Sequence, residues 1–348
     1  MGTKIFDVAH SGHHNLDCQE LLILFAFLCI TRYTATVMPR FHVERSIEIA
    51  ASPETVYEKV VDYKTWTSWS PWLCSEPTAK VTVSENSNSV GSTYAWEGQI
   101  VGSGEIEHVK LEADRRIDDE IRFLKPFKSQ SNVAFDIERT GNGTKLTWVM
   151  DGSLPWFMFW MKSMMQTFIS MDYDRGLKML KEYIETGTVH SQTKILGVEQ
   201  VAPITMIGIR KSCSLQAIGP SMEAAVSELL PLLEKHGIAH DGALMSAYHK
   251  FNLKSQTCDY TVGKIVPNDQ SKSVTAPLEV WSCPELKALC VEHLGDYKHL
   301  GNGWSAANQY VRYKRMKQSG CSAFEIYTND PHELPIDQWC TKIYLPLR

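Results

Sequence analysis

Glu325 is the single acid in the run Cys321-Ser322-Ala323-Phe324-Glu325-Ile326-Tyr327. The aromatic and β-branched content of this run reads as a strand. Its alternation sets Ala323, Glu325 and Tyr327 on one face and Phe324 and Ile326 on the other. A carboxylate among such neighbours is either solvated or held by a cationic or hydrogen-bonding partner, because burying it alone is costly. If that partner is a ligand, Glu325 marks the site. Trp281, Tyr297, Trp304 and Tyr327 could line a pocket with it. A carboxylate ringed by aromatics suits a cationic or amine-bearing organic molecule. The rival chemistry is catalysis, in which an apolar pocket raises the pKa of Glu325 and the carboxylate activates water.

A second concentration of large side chains lies in the first half of the chain, at Trp96, Trp148, Trp156, Trp160, Met164, Met165 and Phe168. Core packing is the simpler reading of any one of them. Collectively, a sheet gripping one helix leaves an apolar cavity, and methionine suits such an adaptable surface. Trp96, Trp148, Trp160 and Met164 are therefore the candidates for holding a hydrophobic molecule.

Other chemistry finds little support. The spacing of His236 and His240 is metal-like, but Gly237 between them reads as a helix end, so the imidazoles would not share a face. Asp114, Asp118, Asp119 and Glu120 cluster around Arg115 and Arg116 and read as a solvated loop. The chain has no phosphate-binding Gly-x-x-x-x-Gly-Lys loop, no dinucleotide fingerprint and no hydrolase elbow, so neither a cofactor nor a metal is expected.

The 348 residues are 43% hydrophobic and 22% charged, with a net charge of -5. This is room for about two soluble domains and gives no electrostatic footprint for nucleic acid. The nine cysteines are an odd number without a Cys-x-x-Cys, which points to reduced thiols in a cytosol-like compartment. Residues 21–30 are an unbroken apolar run, short of the ~20 residues a spanning helix needs. Residues 1–40 thus read either as a loosely docked leader or as a degenerate anchor that associates with a membrane through residues 16–38.

The elements that must position these residues form two bodies, of α+β class. Residues 41–186 open with an alternating strand, followed by a helix that Ser52 caps and Pro53 starts. Six further strands then precede one long amphipathic helix over residues 155–185. The apolar stretch 156–161 at its start must be covered on most sides. A run of strands before one long helix implies a curved antiparallel sheet wrapped around that helix. Residues 187–195 read as a linker. Over residues 196–348 the order strand, helix, strand, strand occurs twice, the first strand falling within 198–213 and the helices over 222–236 and 300–317.

Two resemblances fit this plan. His42 to Ile49, then Ser52-Pro53-Glu54-Thr55-Val56-Tyr57, Trp69-Ser70-Pro71-Trp72, Val101 to Ile106 and Gly143 to Trp148 resemble START-related helix-grip proteins of the polyketide cyclase/dehydrase type. Cys258 to Gly263, His293-Leu294-Gly295-Asp296-Tyr297, Phe324 to Pro331 and Thr341 to Leu347 resemble the GyrI-like effector-binding domain of multidrug-responsive regulators. The second resemblance implies that Glu325 faces a central pocket. It also brings the transcription-regulator reading, but neither leader nor linker has room or charge for a DNA-binding helix-turn-helix. The sequence therefore leads to a two-domain small-molecule binder. A hydrophobic ligand is expected in the first body and a small organic ligand, with a cation as one option, in the second. A hydrolase or cyclase using Glu325 is the alternative.

Overall fold

The computed structural model describes residues 39–238, 241–253, 255–267 and 274–348. The leader with its two readings, up to Met38, and His240 of the histidine pair lie outside the described residues. Among those described, no helix is long and apolar enough to cross a membrane.

The first body is a seven-stranded antiparallel sheet and a helix. Its strands are β1 (Arg40–Ile49), β2 (Lys80–Val83), β3 (Thr93–Glu97), β4 (Ser103–Glu112), β5 (Arg116–Lys125), β6 (Ser129–Thr140) and β7 (Gly143–Ser153), in the order β1-β7-β6-β5-β4-β3-β2. Between β1 and β2 runs α1 (Pro53–Val61), capped by the Ser52 hydroxyl, which accepts from the Thr55 amide at 3.3 Å. The long helix α2 (Lys162–Thr186) lies across β1 and ends at Gly187, whose φ of +83° suits a residue without Cβ. The core between sheet and helix is aromatic: Trp148 stacks on Tyr173 at 4.0 Å and on Phe135 at 5.0 Å.

Two local expectations change here. The helix does not begin at Pro155; Trp156–Met161 forms a separate tight turn ahead of α2. That turn packs Met158 on the core but leaves Phe157, Phe159 and Trp160 59%, 65% and 67% exposed, so it is not covered on most sides. The acidic cluster is not a solvated loop either. Asp119 lies in β5 with Ile117 and Ile121 on the buried face, while Asp118 and Glu120 turn outward to Arg116 and Arg122. The buried Asp119 meets Nδ1 of the equally buried His108 at 2.6 Å, and Nε2 of that ring donates to the Val61 carbonyl at 2.8 Å.

The second body is one eight-stranded antiparallel sheet with two helices. Its elements are β8 (Ser191–Val201), β9 (Ile204–Ser214), α3 (Ile218–Lys235), β10 (Leu244–Asn252), β11 (Thr257–Ile265), β12 (Leu278–Cys283), β13 (Leu286–Gly295), α4 (Leu300–Tyr313), β14 (Ala323–Tyr327) and β15 (Cys340–Leu347). The strand expected within 198–213 is β9, which Pro203, a residue that cannot donate to a ladder, separates from β8. β8 begins at Ser191, inside the stretch read as a linker, so the connection from α2 is only residues 187–190.

The sheet order is β12-β9-β11-β10-β14-β15-β13-β8. The repeats β9-α3-β10-β11 and β13-α4-β14-β15 thus meet at a β10–β14 seam. The strand leading into each repeat is traded to the edge of the other: β8 pairs with β13, and β12 with β9. Both helices cover one face of the sheet. α3 sets Leu229 and Leu233 on Ile207 and Ile209, and α4 sets Ala306, Ala307 and Val311 on Leu289 and Val291.

Candidate functional site

Glu325 sits at the seam. It pairs across the sheet with Ser246 of β10, and its side chain points to the helix-covered face, between α3 and α4. It is fully buried. Its Oε1 accepts from the indole N–H of Trp304 on α4. Its Oε2 accepts from the Tyr248 hydroxyl at 2.9 Å and the Tyr327 hydroxyl at 2.7 Å. All three donors are neutral, and among the described residues no lysine, arginine or histidine forms an ion pair with it. Burial pushes the Glu325 carboxyl above its ordinary pKa, and the bonds from Trp304, Tyr327 and Tyr248 offset only part of that. Burial, with the Glu325 charge second, holds the Tyr248 and Tyr327 hydroxyls well above the usual phenol range.

Aromatic rings extend from both sides of this carboxylate. On one side Tyr248 stacks on Phe251 at 5.2 Å and meets Trp304 edge-on at 5.1 Å. On the other, Tyr327 meets Tyr297 at 5.5 Å, and Tyr297 meets Trp339 at 4.9 Å. All of these rings line one open cleft of about 3330 Å³. Glu325 is the floor beneath them.

The residues singled out in the sequence distribute as follows. Glu325, Tyr297, Trp304 and Tyr327 come together. Trp281 does not: on β12 it pairs with Met206 and lies 5.9 Å from Phe324, on the opposite face of the sheet. In the first domain Trp96, Trp148, Trp160 and Met164 fall into three environments rather than one cavity. Trp148 is enclosed by Phe135 and Tyr173. Trp96 packs on Phe123 at 5.9 Å and over Gly104, where a Cβ would lie 2.4 Å from its ring. Trp160 and Met164 open on the cleft that also holds Glu325.

Tyr248, Phe251 and Trp339 were not anticipated. Tyr248 had a signal, since β10 holds in the first repeat the place of β14 in the second, and Leu244, Ser246 and Tyr248 share its face. Trp339 stands in the β14–β15 connection, where periodicity says nothing. Among the described residues no cluster of histidine, cysteine and acidic side chains suits a metal ion.

Residues 40–185 match a family described as polyketide cyclase / dehydrase and lipid transport, and residues 197–348 match the GyrI-like small molecule binding domain. A crystal structure of a protein from Chromobacterium violaceum is 17% identical, with 41% of this chain and 96% of that chain covered and a TM-score of 0.33. The Aha1 dimer from Colwellia psychrerythraea is 18% identical, with 42% and 97% covered and a TM-score of 0.30. The protein SAV2435, solved bound to tetraphenylphosphonium, is 16% identical, with 43% and 92% covered and a TM-score of 0.34. No curated protein matches the chain. The fold is that of a two-domain α+β protein. The first domain belongs to the polyketide cyclase/dehydrase and lipid-transport family, and the second to the GyrI-like family.

Proposed function

We propose that this protein binds an organic cation in the aromatic cleft above Glu325. The observation that carries the reading is a fully buried carboxylate with three neutral hydrogen-bond donors and no cationic partner among the described residues. Charge buried without a counter-charge is costly, and a cation placed over the cleft recovers that cost. The rings strengthen the effect. A phenol or indole that donates to a carboxylate is polarised toward a more electron-rich face, and such faces attract cations within about 6 Å. Glu325 then acts through Trp304, Tyr248 and Tyr327 rather than by touching the ligand. Both of its oxygens are engaged and it is enclosed, which favours binding over activation of a water molecule.

Tetraphenylphosphonium, an apolar cation without donors, is a suitable probe, and tetraphenylborate is its anionic counterpart of like shape. Titration calorimetry should give binding of the phosphonium, little or none of the borate, and a loss of roughly tenfold or more in phosphonium affinity for Glu325→Gln, about 1.4 kcal/mol. Equal binding of the two ions would contradict the reading.

A further inference from the structure

The groove over Glu325 opens toward the first domain, and α2 runs along that opening. α2 carries two apolar stripes. Met165, Ile169, Tyr173, Leu177 and Leu180 pack on its own sheet. Met164, Phe168 and Met171 follow on a different side at i, i+4 and i+7, with Arg175 one turn further on. The core of the first domain does not account for this second stripe. Met164 and Met171 are each 43% exposed, and all four residues line the cleft shared with Trp304, Tyr297 and Glu325.

Buried polar pairs fix α2 in this position. Arg175 donates to the side-chain Oδ1 of Asn302 at 2.8 Å, and Nδ2 of Asn302 donates to the Ser191 hydroxyl at 2.8 Å. Glu182 accepts from His299 at 2.5 Å and from Lys298 at 3.1 Å. Asn302, His299 and Glu182 are all buried. The Arg312 guanidinium lies 5.8 Å from the centre of the Phe168 ring. Arg175 is neutralised by Asp172 at 2.6 Å.

We propose that α2 is the far wall of the binding site, and that the ligand is an amphiphilic cation. Its charged head sits on the rings above Glu325, and its apolar chain lies along Met164, Phe168 and Met171. The inference rests on the cation reading of Glu325. Two features support it: the cleft is lined from both domains, so that α2 and the rings above Glu325 share it, and methionines line the wall, flexible and polarizable enough to follow an irregular chain.

The test compares dodecyltrimethylammonium, below its micelle concentration, with tetramethylammonium on the full chain. The double variant Met164→Ala/Met171→Ala changes two exposed side chains, and its thermal transition serves as the folding control. The expected result is dodecyltrimethylammonium bound roughly tenfold more weakly by the double variant, about 1.4 kcal/mol, with tetramethylammonium unchanged. Glu325→Gln should weaken both. If the double variant binds dodecyltrimethylammonium like the wild type while Glu325→Gln loses it, the α2 wall is wrong and the cation site stands. If the double variant weakens both probes equally, the wall is also wrong. If the wild type binds neither probe, the reading of Glu325 fails and this inference fails with it.

Discussion

Glu325 is held in a state that costs the unliganded protein stability, and the sign of that cost is measurable. Its folded pKa is raised by burial, so between the ordinary carboxylate value and the raised one the native state binds more protons than the unfolded chain. Stability therefore falls as pH rises through that window. Glu325→Gln should flatten this part of a plot of melting temperature against pH and leave the variant no less stable than the wild type at neutral pH. Asp119, also raised by burial, adds a slope of the same sign that the variant retains. His293 works in the opposite direction. Burial lowers it from 6.5 to about 4, so the unfolded chain takes up a proton first as pH falls. Stability present above pH 6.5 is lost as pH drops toward 4, on the order of 3 kcal/mol if the full shift is expressed. His293→Gln should remove that acid-side loss in denaturant titrations at pH 4 and 7.

At the scale of elements, the duplicated order of strands and helices was legible because each element carries its own periodicity. The pairing of the sheet was not. That β8 joins β13 while β12 joins β9 depends on contacts between distant strands, and no local pattern encodes it. Strand alternation could have placed Asp119, since Ile117, Asp119 and Ile121 follow one another at steps of two; reading the acids as a cluster hid this. Trp281 was misplaced for a related reason, because its face is set by pairing with Met206. The register of β9 and β11 depends on two glycines set opposite each other, Gly208 and Gly263. A Cβ on Gly263 would lie 2.3 Å from the Ile207 carbonyl oxygen, and one on Gly208 would lie 2.3 Å from that of Val262. Gly263→Val should cost about 2 kcal/mol or more in chemical denaturation through overpacking against backbone that cannot yield. The same substitution at Gly141, whose Cβ would meet nothing within 4 Å, should cost much less.

For the whole molecule, the two domains are joined by a buried polar seam at the N-terminal end of α4, the helix that also supplies Trp304 to Glu325. Glu182→Ala leaves the buried His299 ring N–H without its acceptor, while Lys298 keeps Asp296 at 2.9 Å, at a cost of roughly 1–3 kcal/mol. In calorimetry the wild type should unfold in one transition and the variant in two. This joint was not readable from sequence, since Glu182 reads as one acid among several on an amphipathic helix and His299 as an isolated histidine. The central claim remains that the buried charge of Glu325 recruits a cation. Its most direct test is titration of tetraphenylphosphonium into wild type and Glu325→Gln in two buffers of different ionisation enthalpy, at a pH near the raised pKa. A bound cation favours the ionised carboxylate, so the wild type should release protons on binding and bind more tightly as pH rises. Glu325→Gln should bind weakly with no proton release. Equal affinity and equal proton release in the two proteins would contradict the account.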